Sequence, residues 1–314
     1  MLRLSAIGLE TTHGYIYPAL INGYHPARLR TNSPDIVWSI FPTGGQPSID
    51  ADARIVACYD PERARARQVA EACLIERVCG SVEEATRGVD GVLILSGDAR
   101  AHAEQAKPAL RAGLATFVDK PFAATEADAQ RLAEVADRAS APIFCTSALR
   151  FAPQTRALRA RLPSRVGTPL VAHTIGTGDF ESYAVHALEF LFGVWGGGVD
   201  RVQSTGSTDA SGAQLDYTDG RRAVWQVWKR MAWQFHLAVY GTQGMDQAFV
   251  TFGDRYTVFR ESAARMVEFV GRRESPVPVT ETIEIVRLLE AVRSAQAAEM
   301  GVAQRWPTHL TGTV

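Results

Sequence analysis

Lys120 stands between Asp119 and Pro121 in the segment Ala115-Thr116-Phe117-Val118-Asp119-Lys120-Pro121-Phe122. The apolar run before it reads as a strand buried on both faces of a parallel sheet, and such sheets hold ligands outside the carboxyl ends of their strands. The lysine is therefore aimed at a place where chemistry is done. In a desolvated cleft or beside a cation, its ammonium can be brought toward neutrality and made to exchange a proton. Much further along, Ser182, His186 and Glu189 fall on one face of a helix over Ser182 to Trp195. Their spacings are four and three, and the apolar stripe Val185, Leu188, Leu191, Phe192 and Trp195 lies apart from them. An imidazole titrating near about 6.5 suits proton transfer. On residue type alone, a solvated lysine and a polar helix face with an incidental histidine are the plainer explanations.

The elements that must position these groups are legible around them. Val92 to Leu95 is an unbroken apolar run between Gly91 and Ser96-Gly97, and reads as a second buried strand. Between the two strands, Asp98 starts a helix that carries His102 and stops at Gly113, with Pro108 expected to kink or shorten it. Strand, helix and strand in so short a space form a crossover unit. At the N-terminus Leu2 to Ile7 is a strand, and Gly8-Leu9-Glu10-Thr11-Thr12-His13-Gly14 turns it into a helix ending near Asn22-Gly23. A dinucleotide-binding domain puts its pyrophosphate loop there. The usual Gly-x-Gly-x-x-Gly would place glycine at positions 8, 10 and 13, and only Gly8 is present. Glu10 adds negative charge, while the hydroxyls and N–H groups of Thr11 and Thr12 can hold phosphate oxygens. A plain turn capped by either threonine accounts for the loop equally well.

Arg54 to Tyr59 is the next strand, and Asp60 at its end is placed to take adenosine ribose hydroxyls, which favours NAD over NADP without excluding the latter. Gly8 and Asp60 are 52 residues apart, where about 20 is usual. Either His25 to Ala53 is an insertion, or Asp35 to Phe41 is the true second strand. The turn-rich Pro42 to Pro47 could form a lid. Ser81 caps a short helix, Thr125 starts a helix running to Arg138, and Pro142 to Cys145 is a strand. From Val166 strands dominate, at Val171 to Ile175, Val199 to Ser204, Ala223 to Val227 and Trp233 to Tyr240. Their alternation indicates an antiparallel sheet covered on one face, suited to a substrate platform or a subunit interface.

Three hundred and fourteen residues make two domains, divided near residues 148 and 149. A net charge of -1 offers no footprint for nucleic acid or an anionic membrane. Cys58, Cys73, Cys79 and Cys145 contain no Cys-x-x-Cys pair, so neither a metal site nor a disulfide framework is expected. There is no apolar run of spanning length and no leader-like N-terminus, and the chain reads as a cytoplasmic protein acting on small molecules.

Asp119-Lys120-Pro121, with Ala112-Gly113 before it and Ala124-Thr125-Glu126-Ala127 after it, resembles the Glu-Lys-Pro segment of the Gfo/Idh/MocA oxidoreductases. Ser147 to Pro153 resembles that family's hinge between domains. Tyr183 to Glu189, followed by Gly193 and Gly196 to Val199, resembles the helix whose histidine joins the lysine at the substrate. There the pattern is Asp-x-Gly-x-His, and here Ser182 and Ala184 stand at the aspartate and glycine positions. Asp219-Gly220-Arg221 resembles a motif of one branch, with no role assigned. The resemblance implies an α/β chain: an N-terminal Rossmann domain with a parallel sheet over residues 1–148, and a C-terminal α+β domain with an open, largely antiparallel sheet over residues 149–314. It implies NAD-dependent hydride transfer to or from a sugar, cyclitol or related polyhydroxylated compound, with Lys120 and His186 catalytic. The cofactor would meet Gly8, Glu10, Thr11, Thr12, His13 and Asp60, then Ser96, Gly97, His102, Lys120 and Pro121. Lys120, Arg150, Ser182, Tyr183 and His186 would meet the substrate. No metal is implied, and a homo-oligomer, dimer or tetramer, is. Glu10 and Ser182 leave two alternatives open: a ligand- or partner-binding protein of the same fold, or an enzyme of net non-redox chemistry that keeps the nucleotide.

Overall fold

The computed structural model describes residues 1–41, 45, 49, 52–207 and 209–299. Twelve strands and eleven α-helices follow one another among these residues. In the first half they are β1 (Leu2–Ile7), α1 (His13–Asn22), α2 (Pro26–Asn32), α3 (Asp35–Trp38), β2 (Ala53–Tyr59), α4 (Arg63–Ala72) and β3 (Arg77–Val78). Then come α5 (Val82–Ala85), β4 (Gly91–Ile94), α6 (His102–Arg111), β5 (Ala115–Val118), α7 (Glu126–Arg138) and β6 (Ile143–Cys145). The six strands form one parallel sheet in the order β3-β2-β1-β4-β5-β6. The order reverses between β1 and β4, and the crevice beyond that point is where such sheets take a ligand.

All four residues of β4 and all four of β5 are buried, as helices on both faces require. β2 pairs with β1 in parallel, and Asp35–Trp38 is helical, so Asp35 to Phe41 is not a strand and the segment between α1 and β2 is an insertion. The proposed lid at Pro42 to Pro47 falls outside the described residues, Gly45 excepted. Two expected helix starts hold, with Ser81 and Thr125 accepting from the N–H groups of Glu84 and Asp128. Asp98 does not cap α6: it accepts from Arg100 N–H in the preceding turn, and Ala101 is the capping residue.

A 3₁₀ turn (Ala148–Phe151) and α8 (Pro153–Arg165) lead to β7 (Pro169–Thr177), α9 (Phe180–Trp195), β8 (Val199–Gly206), β9 (Ala210–Tyr217), β10 (Arg222–Trp228), β11 (Gln234–Gly241) and β12 (Gly244–Thr251). The second sheet runs β12-β11-β7-β10-β9-β8 and is antiparallel throughout except for β7 with β10. Strands β9 and β12 had no signal of their own in the sequence. Ser-Gly-Ala-Gln in one and Asp-Gln-Ala in the other are poor strand formers, and it is pairing with β10 and β11 that extends them. Asp219-Gly220-Arg221 is the tight β9–β10 turn. Arg221 lies 4.9 Å from the ring centres of both Trp195 and Tyr217 and donates to the Trp195 carbonyl, pinning the hairpin to the end of α9.

The described residues close with α10 (Arg255–Arg272) and α11 (Val279–Glu299), both unassigned from the sequence. Met266, Phe269 and Val270 of α10 belong to the core on one face of the first sheet, while Ile285, Leu288 and Val292 of α11 belong to that of the second. The two halves are thus bound together by the last two helices.

Candidate active site

Lys120 follows directly on β5, where Asp119 N–H still bonds to the carbonyl of Ile94 on β4. Asp119 is almost wholly buried. One of its oxygens accepts from Lys120 N–H at 2.8 Å and the other meets His13 Nδ1 at 2.5 Å. Burial works to raise its pKa, but His13 and then Lys120 outweigh it, and the carboxyl lies below its ordinary value. This pair is why the residue before Lys120 is acidic: it fixes the lysine's backbone and ties β5 to the first turn of α1. His13, where a pyrophosphate loop would carry glycine, also packs edge-on against Tyr17 and Phe259.

His186 comes from the other half. Asp179 caps α9 through Ser182 N–H at 2.9 Å, which sets the helix's register and turns His186 toward the crevice. Its Nδ1 lies 2.6 Å from Ser147 Oγ, and Tyr183 and Phe235 flank the ring. Burial first, then the positive charge of Lys120 and of His13, push its pKa well below the usual histidine value. The face it occupies is exposed at Ser182, half-buried at His186 and buried at Glu189. Glu189, one turn on, is buried and paired with Arg150, which also reaches Glu281 at 2.8 Å. Arg150 is thereby committed to joining the 3₁₀ turn, α9 and α11, and it does not line the cavity.

Lys120, His186, Ser182, Tyr183, His13 and Thr12 do share one cavity of about 340 Å³. Apolar side chains close it: Ile36 and Ile40 of the insertion, Trp233 and Phe235 of the second sheet, Phe252 and Phe259 near α10. Of the lining groups, Ser147 was read only as part of a hinge and Trp233 and Phe235 only as part of a strand, while Phe252, Arg255 and Phe259 carried no sequence signal, since they converge only through the second sheet and α10. On its other side Lys120 borders a more open cleft lined by Gly97, Pro121, Glu181 and Arg293.

The first loop can hold a dinucleotide. Gly8 has φ +74°, and a Cβ there would lie 2.7 Å from Ser96 Cβ, so glycine lets β1 and β4 end side by side. Glu10 turns its carboxylate across this junction, accepting from Ser96 Oγ at 2.6 Å and Gly97 N–H at 2.7 Å. Among the described residues the N–H groups of Glu10, Thr11 and Thr12 have no partner, whereas those of His13 and Gly14 bond within the loop. Three free donors at the head of α1 fit a pyrophosphate. Asp60 stands at the end of β2 with its side chain fully buried, accepting from Leu9 N–H, Glu62 N–H and Arg65. Its carboxylate shapes the loop from behind. His102 is equally buried, its ring nitrogens 2.8 and 3.2 Å from the carbonyls of Ser96 and Phe122. It braces the β4 end against the segment after Pro121.

Residues 44–146 match the model of GFO_IDH_MocA, an oxidoreductase family with an NAD-binding Rossmann fold. The myo-inositol dehydrogenase Hyg17 of Streptomyces leeuwenhoekii is 32% identical over 126 residues, a segment that spans 38% of this chain and 38% of that protein. Two solved structures superpose over nearly the whole length. Scyllo-inositol dehydrogenase from Lactobacillus casei with bound NAD(H) and scyllo-inositol has a TM-score of 0.76 at 13% identity, covering 94% of this chain and 96% of that one. Myo-inositol 2-dehydrogenase from Lactobacillus plantarum has 0.73 at 17% identity, covering 96% and 98%. At these identities the structural likeness is one of fold, and it joins the sequence match in the stretch that carries Lys120. The sequence match to the GFO_IDH_MocA family thus covers residues 44–146, and over the rest of the chain the likeness to these dehydrogenases is one of fold.

Proposed function

We propose that the protein is an NAD-dependent dehydrogenase that oxidises a secondary alcohol of a sugar, cyclitol or related polyhydroxylated compound to the ketone, or runs the reverse reaction. The observation that carries this is the meeting of Lys120 and His186, from different halves of the chain, in one cavity beside a loop with free phosphate donors. Bound NAD supplies the hydride acceptor. The chain's own residues handle the proton and the oxygen. His186 is held neutral, and with Nδ1–H donating to Ser147 Oγ its Nε2 lone pair is left to accept the hydroxyl proton. The Lys120 ammonium makes no ion pair among the described residues and can stabilise the oxygen as negative charge develops. One C–H and one O–H bond break, two electrons leave with the hydride, and the proton stays on His186.

At the end of β2 the exposed carboxylate of Glu62 favours NAD over NADP, because a 2'-phosphate would approach like charge, while Asp60 lies buried beneath the loop. Four buried, unpaired cysteines suit a reducing, cytoplasmic setting. An exposed apolar row on the second sheet supports self-association. Purified protein mixed with NADH is expected to shift and enhance nicotinamide fluorescence, and NAD⁺ with a panel of cyclitols, sugars and sugar acids to yield absorbance at the reduced-nicotinamide band. Absence of both would remove the redox reading and leave a binding protein of this fold.

A further inference from the structure

Two arginines are buried among the described residues, and they differ in one respect that bears on the substrate. Arg150 is held between two carboxylates, those of Glu189 and Glu281. Arg255, 7% exposed, has no carboxylate partner among the described residues. Its Nε donates to the Phe252 carbonyl, Nη2 has a long contact of 3.4 Å to Ser39 Oγ, and Nη1 is buried with no partner among the described residues. The neighbouring acid is unavailable: Asp254 accepts from both the N–H and the hydroxyl of Thr251, closing the capping box ahead of α10. The guanidinium carbon lies 3.2 Å from the Phe252 ring centre, so an aromatic face holds the cation in place without neutralising it.

A buried guanidinium without an anion is costly, and proteins keep one where a ligand supplies the missing charge. Arg255 lines the same cavity as Lys120 and His186. Among the described residues the ionisable groups of that wall are His13, Lys120, His186 and Arg255, with Tyr183 the one phenol, and no described carboxylate lines it. The hydroxyls of Thr12, Ser147 and Ser182 and the His186 lone pair can serve a polyol, but the charges on the wall are cationic and call for an anion as well. Its volume, about 340 Å³, is that of a single small ligand.

Resting on the dehydrogenase reading, we infer that the substrate is a carboxylate-bearing polyhydroxylated compound of the sugar-acid class, whose carboxylate pairs with Arg255 while its carbinol carbon faces Lys120 and His186. The apolar face of the ring or chain lies on the aromatic wall of Trp233 and Phe235. Ser182, standing where the family pattern has aspartate, fits this arrangement, because an acid there would repel an anionic substrate.

The test compares D-glucuronate and D-galacturonate with D-glucose, D-galactose and myo-inositol, each with NAD⁺ and wild-type protein. The acids are expected to exceed the neutral compounds in kcat/KM by about 30-fold or more, the size of one charge-assisted pair. Arg255→Met should collapse that ratio by at least about tenfold, mostly through KM, with Arg255→Lys retaining part of it. NADH binding serves as the folding control for both variants. A wild-type preference for the neutral compounds, or an equal loss on acids and neutral compounds in R255M, would overturn the inference. If no compound is oxidised, the redox reading fails by itself and calorimetry decides the rest: saturable uptake of a uronate by wild-type protein and not by R255M sustains the anion site, and no uptake ends it. Should neither variant fold, the wild-type ratio of acid to neutral substrate settles the matter alone.

Discussion

His186 is kept neutral by its surroundings, and this has consequences that can be measured separately in catalysis and in stability. Because burial and the charges of Lys120 and His13 depress its pKa, the base remains available below the usual histidine range, and kcat should stay level as pH falls from 8 to about 6.5. In the unfolded chain the same imidazole titrates near about 6.5, so between that pH and the lower folded value the unfolded state holds the extra proton. The stability contribution is complete above about 6.5 and is lost as pH drops through that window. His186→Gln is expected to flatten this part of a melting-temperature profile against pH, and an unchanged profile would show that another group sets it. Replacing Lys120 or His186 with alanine should lower turnover on the order of 100-fold with NADH affinity close to wild type, since neither variant touches the loop at Gly8. Loss of nucleotide binding instead would assign them to the cofactor.

At the level of elements, the buried pair Arg150 and Glu189, extended to the half-buried Glu281, joins the 3₁₀ turn, α9 and α11. It therefore fixes the helix that delivers His186. Burial raises the Glu189 pKa in spite of Arg150, a sign of how much desolvation the pair must overcome. Glu189→Gln should destabilise the fold by about 3–5 kcal/mol in denaturant titrations, as removal of one partner of a buried pair does. KM should move little, and a variant of full stability with raised KM would return Arg150 to the substrate. Gly8→Ala acts on a different junction. The added Cβ meets Ser96 at a positive φ, so β1 and β4 must part just where the pyrophosphate is expected, and NADH affinity should fall by tenfold or more in a fluorescence titration.

For the whole molecule, the outer face of the second sheet is the feature left open. Met245, Tyr240 and Val171 lie side by side in register across β12, β11 and β7, and Phe249 stacks on His236 beside them. All four apolar side chains are exposed. Sedimentation velocity at micromolar concentration should show a dimer or larger species, and Tyr240→Glu with Met245→Glu should shift it toward the monomer. A wild-type monomer would refute this. Such a face on an antiparallel sheet is a natural place for a second copy, because its first face is already filled by α8, α9 and α11.

Local pattern was sufficient for most of the first sheet. β4 is a continuously apolar run bounded by glycine, and β1, β5 and β6 are short and largely apolar, so these strands and the position of Lys120 after β5 were legible along the chain, whereas β2 had a rival in Asp35 to Phe41 and β3, two residues long, carried no signal. The same holds for α9 as a helix, since sixteen residues of 3.6-residue periodicity need no partner to be recognised. What the face of α9 meets was not legible: Glu189 looks solvated until Arg150 arrives from 39 residues away, and the polar stripe then becomes an interior ion pair. Strands β9 and β12 have little propensity of their own and exist through pairing. His13 finds Asp119 across 106 residues, and Arg255 reaches the cavity because α10 returns to pack on the first sheet. Sequence patterns record which residues a short segment must bury, while the charge and shape of a site depend on long-range neighbours that only the packed chain brings together.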